Sequence, residues 1–300
     1  MPAAIETFDL PLPHGISLSC RASGPADAPR IVFLHGFPEG AFVWDEVMAA
    51  LGARYRCIAP NLRGYERSSA PAGVEAYKPR ALMADVAALI EATGGPVALL
   101  VAHDWGGALA WNLAAQQPQL LERLLAINTP HPATFLRDLQ HDAAQQRASA
   151  YMSFLCRPDA EALLEANDFA RLWRFFGDAD WLDEATKARY RSVWRHGLTG
   201  PLNYYRASPL KPPTPQHPEV MQLALPPQFG TVRLPTRVLW GEADHALLPG
   251  LLDGLDAFLP QGEIVRVPGA SHWIVHERPQ LVIDQITGWL APAAGAQTTT

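Results

Sequence analysis

The residues best suited to chemistry lie in Gly95–Gly107, GPVALLVAHDWGG. An uncharged, β-branched and leucine-rich run, Val97 to Ala102, stops in one step at His103 and Asp104, followed by Trp105, Gly106 and Gly107. A serine at this point would need a neighbouring base before it could attack. A carboxylate with a pKa near ~4 is already ionised at neutral pH. It is a weak nucleophile, but it can displace a leaving group from an sp3 carbon and form an alkyl ester, which water then splits. Asp just before a helix also serves as an N-cap, and these residues alone leave both roles open.

The surrounding elements decide what Asp104 can reach. Val97–Ala102 is too short for a helix and reads as a strand buried on both faces. After the glycines, Leu109 and Leu113 with Ala108, Ala110 and Ala114 set a helical spacing. Strand, sharp glycine turn and helix make a nucleophile elbow, with the first apex residue exposed at the end of the sheet.

The same alternation recurs along the chain. Residues 5–23 read as two antiparallel strands around a turn at Pro13–Gly15. Strands are expected at Arg30–His35, Tyr55–Pro60, Leu121–Ile127, Thr236–Trp240 and Glu263–Val267. Helices are expected at Trp44–Leu51, around Leu82, Val86, Leu89 and Ile90, at Leu247–Leu259, and around Val282, Ile286, Trp289 and Leu290. Alternation of this kind implies a mostly parallel sheet flanked by helices, with ligands at the carboxyl ends of its strands. His35, Asp104 and Asn128 fall at such ends. Pro38 fixes a turn after His35-Gly36-Phe37. From His131 to Phe229 strand signals vanish. Ala, Leu, Arg and aromatics dominate, and the stretch closes in SPLKPPTPQHP, an irregular proline-rich exit. This predicts a helical lid inserted after the sixth strand. The core domain is then 1–130 with 230–300, and the cap 131–229.

Composition narrows the class. Three hundred residues with 48% hydrophobic and 18% charged side chains can bury a large core. The net charge of −6 and the lack of a basic run argue against nucleic acid. Cys20, Cys57 and Cys156 are far apart and odd in number, which suits a reduced, cytoplasmic setting. The N-terminal MPAAIETFDLPLP carries no leader pattern, no run is long enough for a membrane span, and APAAGAQTTT reads as a frayed tail. The histidines lack ligand spacing, so neither a metal nor another cofactor is expected.

Asp104, Asp244 and His272 each stand just past a strand, in the chain order of the α/β-hydrolase fold. With HGFPE at 35–39, HDWGG at 103–107, a tyrosine early in the lid, LNYYR at 202–206 and SHW at 271–273, nearly the whole chain resembles the epoxide hydrolases of that fold. The resemblance implies that Asp104 is the nucleophile, that His272 activates the hydrolytic water, and that Asp244 orients His272. It implies an oxyanion hole from the Phe37 and Trp105 amides, and Tyr151 and Tyr205 as donors to the epoxide oxygen. His35 and Pro38 would shape the oxyanion turn, with a cis Phe37–Pro38 bond, and line the substrate site together with Trp105 and Trp273. The chemistry agrees. The leaving group is an alkoxide, and a phenol with a pKa near ~10 donates at neutral pH where a carboxylate does not.

The expected partners are a small apolar epoxide and water, and a homodimer is compatible with the sequence. HDWGG is shared with haloalkane dehalogenases, which use the same attack but must stabilise a halide. Two lid tyrosines favour oxygen instead. A fluoroacetate dehalogenase would carry arginines where Trp105 and Ala108 stand, and a serine esterase lacks its serine at the elbow. A ligand-binding protein that has lost catalysis would be expected to lack part of the set Asp104, Asp244, His272, Tyr151 and Tyr205.

Overall fold

A computed structural model describes residues 2–215, 217–225 and 230–291. Its strands are β1 (Glu6–Pro11), β2 (Ser17–Ser23), β3 (Arg30–Leu34), β4 (Arg56–Pro60), β5 (Leu99–His103), β6 (Leu124–Ile127), β7 (Thr236–Gly241) and β8 (Gly262–Val267). They form one sheet in the order β1-β2-β4-β3-β5-β6-β7-β8. β1 pairs antiparallel with β2, and β2 with β4; every pairing from β4 to β8 is parallel.

The central strands explain their own sequences. All five residues of β5 are buried, so no polar residue alternates with the apolar ones. The edge strands β1 and β8 are mostly exposed and carry charge. Beside the sheet lie α1 (Asp45–Leu51), α2 (Pro79–Ala92) and α3 (Asp104–Gln116), and towards the C-terminus α10 (Ile274–Glu277) and α11 (Pro279–Leu290). α1 packs on α11 and α2 on α3. Leu82, Val86, Leu89 and Ile90 form the buried stripe of α2, as their spacing predicts.

Between β6 and β7 the chain makes α4 (Pro132–His141), α5 (Ala143–Ala148), α6 (Tyr151–Leu155), α7 (Ala160–Trp173), α8 (Glu184–Trp194) and α9 (Thr199–Ala207). Among the described residues of this insert, the only β pairing is an isolated bridge between Thr214 and His217 in the proline-rich exit. The fold is thus an α/β-hydrolase fold with its helical insert after the sixth strand.

Leu247–Leu259 differs from expectation. It is not one helix but two 3-10 turns, Pro249–Leu252 and Leu255–Phe258. Pro249 offers no amide donor, and Gly254 adopts φ 72°, which ends the first turn. Two strand starts also move: Val97 and Leu121 touch only as a lone bridge before the β5–β6 ladder begins. Of the expected frayed tail 291–300, all but Ala291 lies outside the described residues.

Candidate active site

The elbow is built at the junction of β5 and α3. Asp104 holds φ 50°, a left-handed backbone that non-glycine residues rarely adopt. The turn closes as tightly as backbones allow. The Gly106 amide donates to the His35 carbonyl at 3.0 Å, and a Cβ on Gly36 would meet Asp104 Oδ1 at 2.2 Å. The Asp104 carboxylate therefore lies on the backbone of the 35–39 turn, where the Phe37 amide donates to Oδ1 at 2.7 Å. The Phe37–Pro38 bond is cis.

β7 and β8 deliver the other half. His272 Nδ1 bonds Asp244 Oδ2 at 2.7 Å, which turns Nε2 toward Asp104 Oδ2, 3.8 Å away. Asp244 is fully occupied. Oδ1 accepts from the Ala246 and Leu247 amides at 2.8 and 2.9 Å, and Oδ2 accepts from Asn128 Nδ2 at 2.8 Å. Burial alone would raise its pKa. The charge and hydrogen bond of His272 outweigh that and hold the carboxyl below its ordinary range. Burial alone would lower the pKa of His272. The Asp244 charge and hydrogen bond, then the Asp104 charge, outweigh it and carry the imidazole up to about 9. The two ring nitrogens of His272 thus face one carboxyl group each, Asp244 at Nδ1 and Asp104 at Nε2.

The insert supplies the roof. Tyr151 starts α6 and Tyr205 lies in α9. Their rings meet edge to face, with centroids 6.1 Å apart. Burial, followed for Tyr205 by its neighbour Tyr151 and for both by Asp104, raises both phenol pKa values well above their ordinary level. Both therefore stay protonated across the neutral range. Two cavities meet beneath them. One, of about 240 Å³, is walled by apolar groups including Trp105, Pro132, Phe135, Met152, Leu210 and Leu247. The other, of about 570 Å³, is lined by Asp244, His272, Trp273, Arg174, His245 and Glu277. Asp104, Tyr151 and Tyr205 are the three residues common to both walls.

The α/β hydrolase fold family matches residues 29–279. AB hydrolase superfamily protein YfhM of Bacillus subtilis (strain 168) is 37% identical over 92% of this chain and 95% of its own length. Epoxide hydrolase 3 of Xenopus tropicalis is 32% identical over 89% of this chain and 73% of its own. A solved structure, described under novel epoxide hydrolases of the α/β-hydrolase superfamily in metagenomes from hot environments, superposes with a TM-score of 0.88 at 36% identity. It covers 97% of this chain and 100% of that one. The chain belongs to the epoxide hydrolases of the α/β-hydrolase fold.

Within this family member the expected site residues do not all stand where their motifs suggest. Phe37 and Trp273 line the larger cavity and Trp105 the smaller one. His35 and Pro38 line neither. His35 is fully buried behind the turn, where Nε2 accepts from the Leu62 amide at 3.0 Å, and burial lowers its pKa to about 4. It is a neutral brace for the turn. Pro38 accepts from Trp194 Nε1 at 2.6 Å and faces the insert, not the cavities. Trp105 also differs in part. Its indole packs edge-on against Tyr205 at 5.1 Å, while its amide makes no bond to Asp104 among the described residues.

A buried polar network escaped sequence reasoning. Glu39 Oε2 faces His103 Nδ1 at 3.1 Å, and Oε1 bonds both Tyr190 and His276 at 2.9 Å. Burial would raise the Glu39 pKa, but the bonds from His103 and His276 prevail and hold the carboxyl well below its usual range. His103 Nε2 meets the His272 carbonyl at 2.9 Å. Each nitrogen of the His103 ring thus faces an acceptor, Glu39 on one side and the His272 carbonyl on the other. The network joins the 35–39 turn, the His272 loop and α8 of the insert. Gln145 in α5, also fully buried, bonds the Ala246 carbonyl and the Leu248 amide at 2.8 and 3.0 Å, so the insert grips the loop that carries Asp244. The motifs HGFPE and HDWGG contain Glu39 and His103, but nothing in their spacing pairs them.

Among the described residues no cluster of three or more His, Cys, Asp or Glu could hold a metal ion, and no helix is long and apolar enough to cross a membrane.

Proposed function

We propose that the enzyme hydrolyses an apolar epoxide to a vicinal diol through an alkyl ester on Asp104. The observation that carries this reading is the junction of the two cavities, walled on both sides by one carboxylate and two neutral phenols. A carboxylate supplies the attack, and phenols supply what an alkoxide leaving group needs, a donor that keeps its proton at neutral pH. The smaller, apolar cavity takes the substituent, and the larger one opens on His272.

Protons balance over the cycle. Asp104 opens the ring, and the alkoxide takes a proton from the tyrosine pair. Esterification removes the Asp104 charge that helped hold a proton on His272. The imidazole then gives its proton back to the tyrosines and becomes a base. It takes a proton from water, which attacks the ester carbonyl, and the oxyanion develops at Oδ1 beside the Phe37 amide. Collapse breaks the ester C–O bond and expels the diol as an alkoxide, which takes the carboxyl proton brought in by the added hydroxyl; this returns ionised Asp104 and protonated His272. The core as 1–130 with 230–300 and the lid as 131–229 fit this division, with the attack in one and the leaving-group donors in the other.

The test is trapping. His272→Gln is incubated with styrene oxide and, separately, with a 1-bromoalkane, and the Asp104 peptide is weighed. An adduct from the epoxide is expected. An adduct from the bromoalkane alone would make this a dehalogenase and reduce Tyr151 and Tyr205 to packing.

A further inference from the structure

α9 is nine residues long, and one of its faces is tied to the loop after β4. Gly200, Asn203 and Tyr204 stand at i, i+3 and i+4, so they share that face. Gly200 lies on Gly64 of the loop after β4, so closely that a Cβ on Gly200 would come within 2.5 Å of the Gly64 Cα. One turn later the Tyr204 hydroxyl donates to the Arg63 carbonyl at 2.9 Å. That acceptor is itself held. Arg63 bonds Asp85 of α2 through Nε and Nη2 at 2.7 and 2.6 Å, and the Ala76 carbonyl through Nη1 at 2.7 Å. Burial raises the Tyr204 phenol far above its ordinary pKa, so the donor keeps its proton.

Consecutive helix residues point about 100° apart. With Tyr204 fixed on the core loop, Tyr205 is turned to the neighbouring face. There its ring meets Phe37 at 5.2 Å and Trp105 at 5.1 Å, above Asp104. At a side-chain radius of about 5–6 Å, a rotation of about 10° carries a group through about 1 Å, and a displacement of that size can cost about 10²-fold in rate.

We propose that Tyr204 is a positioning residue. Through its bond to the Arg63 carbonyl it sets the rotation of α9, and so the aim of the Tyr205 hydroxyl at the epoxide oxygen. This rests on Tyr205 being a proton donor in ring opening.

The experiment is a single-turnover double-mutant cycle with styrene oxide, measuring ester formation and ester hydrolysis separately. Tyr204→Phe keeps the ring and removes only the bond. It is expected to slow ester formation about 10-fold and to leave hydrolysis unchanged, because the attack of water on the ester is directed by His272 and the Phe37 amide and not by the aim of Tyr205. In a Tyr205→Phe background the same change is expected to have no further effect. Gly200→Ala, which must lift α9 from Gly64, is expected to show the same step-selective loss. If Tyr204→Phe slows both steps alike, costs as much in the Tyr205→Phe background, or leaves ester formation at the wild-type rate, the positioning role is wrong. If Tyr205→Phe itself forms ester at the wild-type rate, the donor role fails, and this inference fails with it.

Discussion

His272 Nε2 faces Asp104 Oδ2 across 3.8 Å, beyond hydrogen-bond length, while Nδ1 is locked on Asp244 at 2.7 Å. The imidazole therefore stands beside the Asp104 carboxylate without occupying it. Asp104→Asn is expected to lose at least about 10³-fold in turnover. His272→Gln is expected to form ester at a rate near wild type and to stall there. Mass spectrometry of the quenched enzyme checks this, and a failure of ester to accumulate would assign the base elsewhere.

The two phenols should share their work. Tyr151→Phe and Tyr205→Phe are each expected to slow epoxide opening by about 10²-fold, and the double variant by far more than either. Residual attack on a 1-bromoalkane should not depend on them. Rapid-quench kinetics with both electrophiles would show it, and an equal loss on both would mean that the tyrosines only shape the cavity.

His272 predicts a pH trend in stability. Its folded pKa is raised from 6.5 to about 9. The folded state thus holds the proton more tightly than the unfolded chain. The resulting stabilisation is complete below about pH 6.5 and is lost as pH rises through about 9. The thermal midpoint of the wild type should fall over that window. Asp244→Asn removes the largest source of the shift, so its midpoint should fall less steeply between the same limits. Calorimetry at several pH values decides, and parallel slopes would contradict the assignment.

Glu39→Gln conserves shape but removes the charge that faces His103 in a fully buried setting. Leaving one partner of a buried pair without its counter-charge costs about 3–5 kcal/mol. Urea unfolding should show a loss of that order. A loss below about 1 kcal/mol would mean that the pair is neutral in the folded protein.

The elbow and the strand ends were legible because each is local. A short apolar run ends at Asp104, and Asp244 and His272 each follow a strand. Tyr205 was singled out by the residues flanking it, and α9 places its ring against Phe37 and Trp105. The rest was hidden by distance along the chain. Glu39 finds His103 64 residues away and His276 237 residues away, and no periodicity records such pairs. His35 was read as part of the substrate site because it adjoins the turn, but the ring points into the core. Leu247–Leu259 had helical spacing, and Pro249 with Gly254 broke it.

The insert between β6 and β7 carries Tyr151 and Tyr205, while the strand ends of the sheet carry Asp104, Asp244 and His272. On the proposed mechanism, what the enzyme attacks with and what it can release are encoded on separate stretches of chain. An exchange of the segment alone, with Asp104 left in place, could retune leaving-group choice by recombination. Point changes at the elbow would instead abolish the reaction before any new one arose.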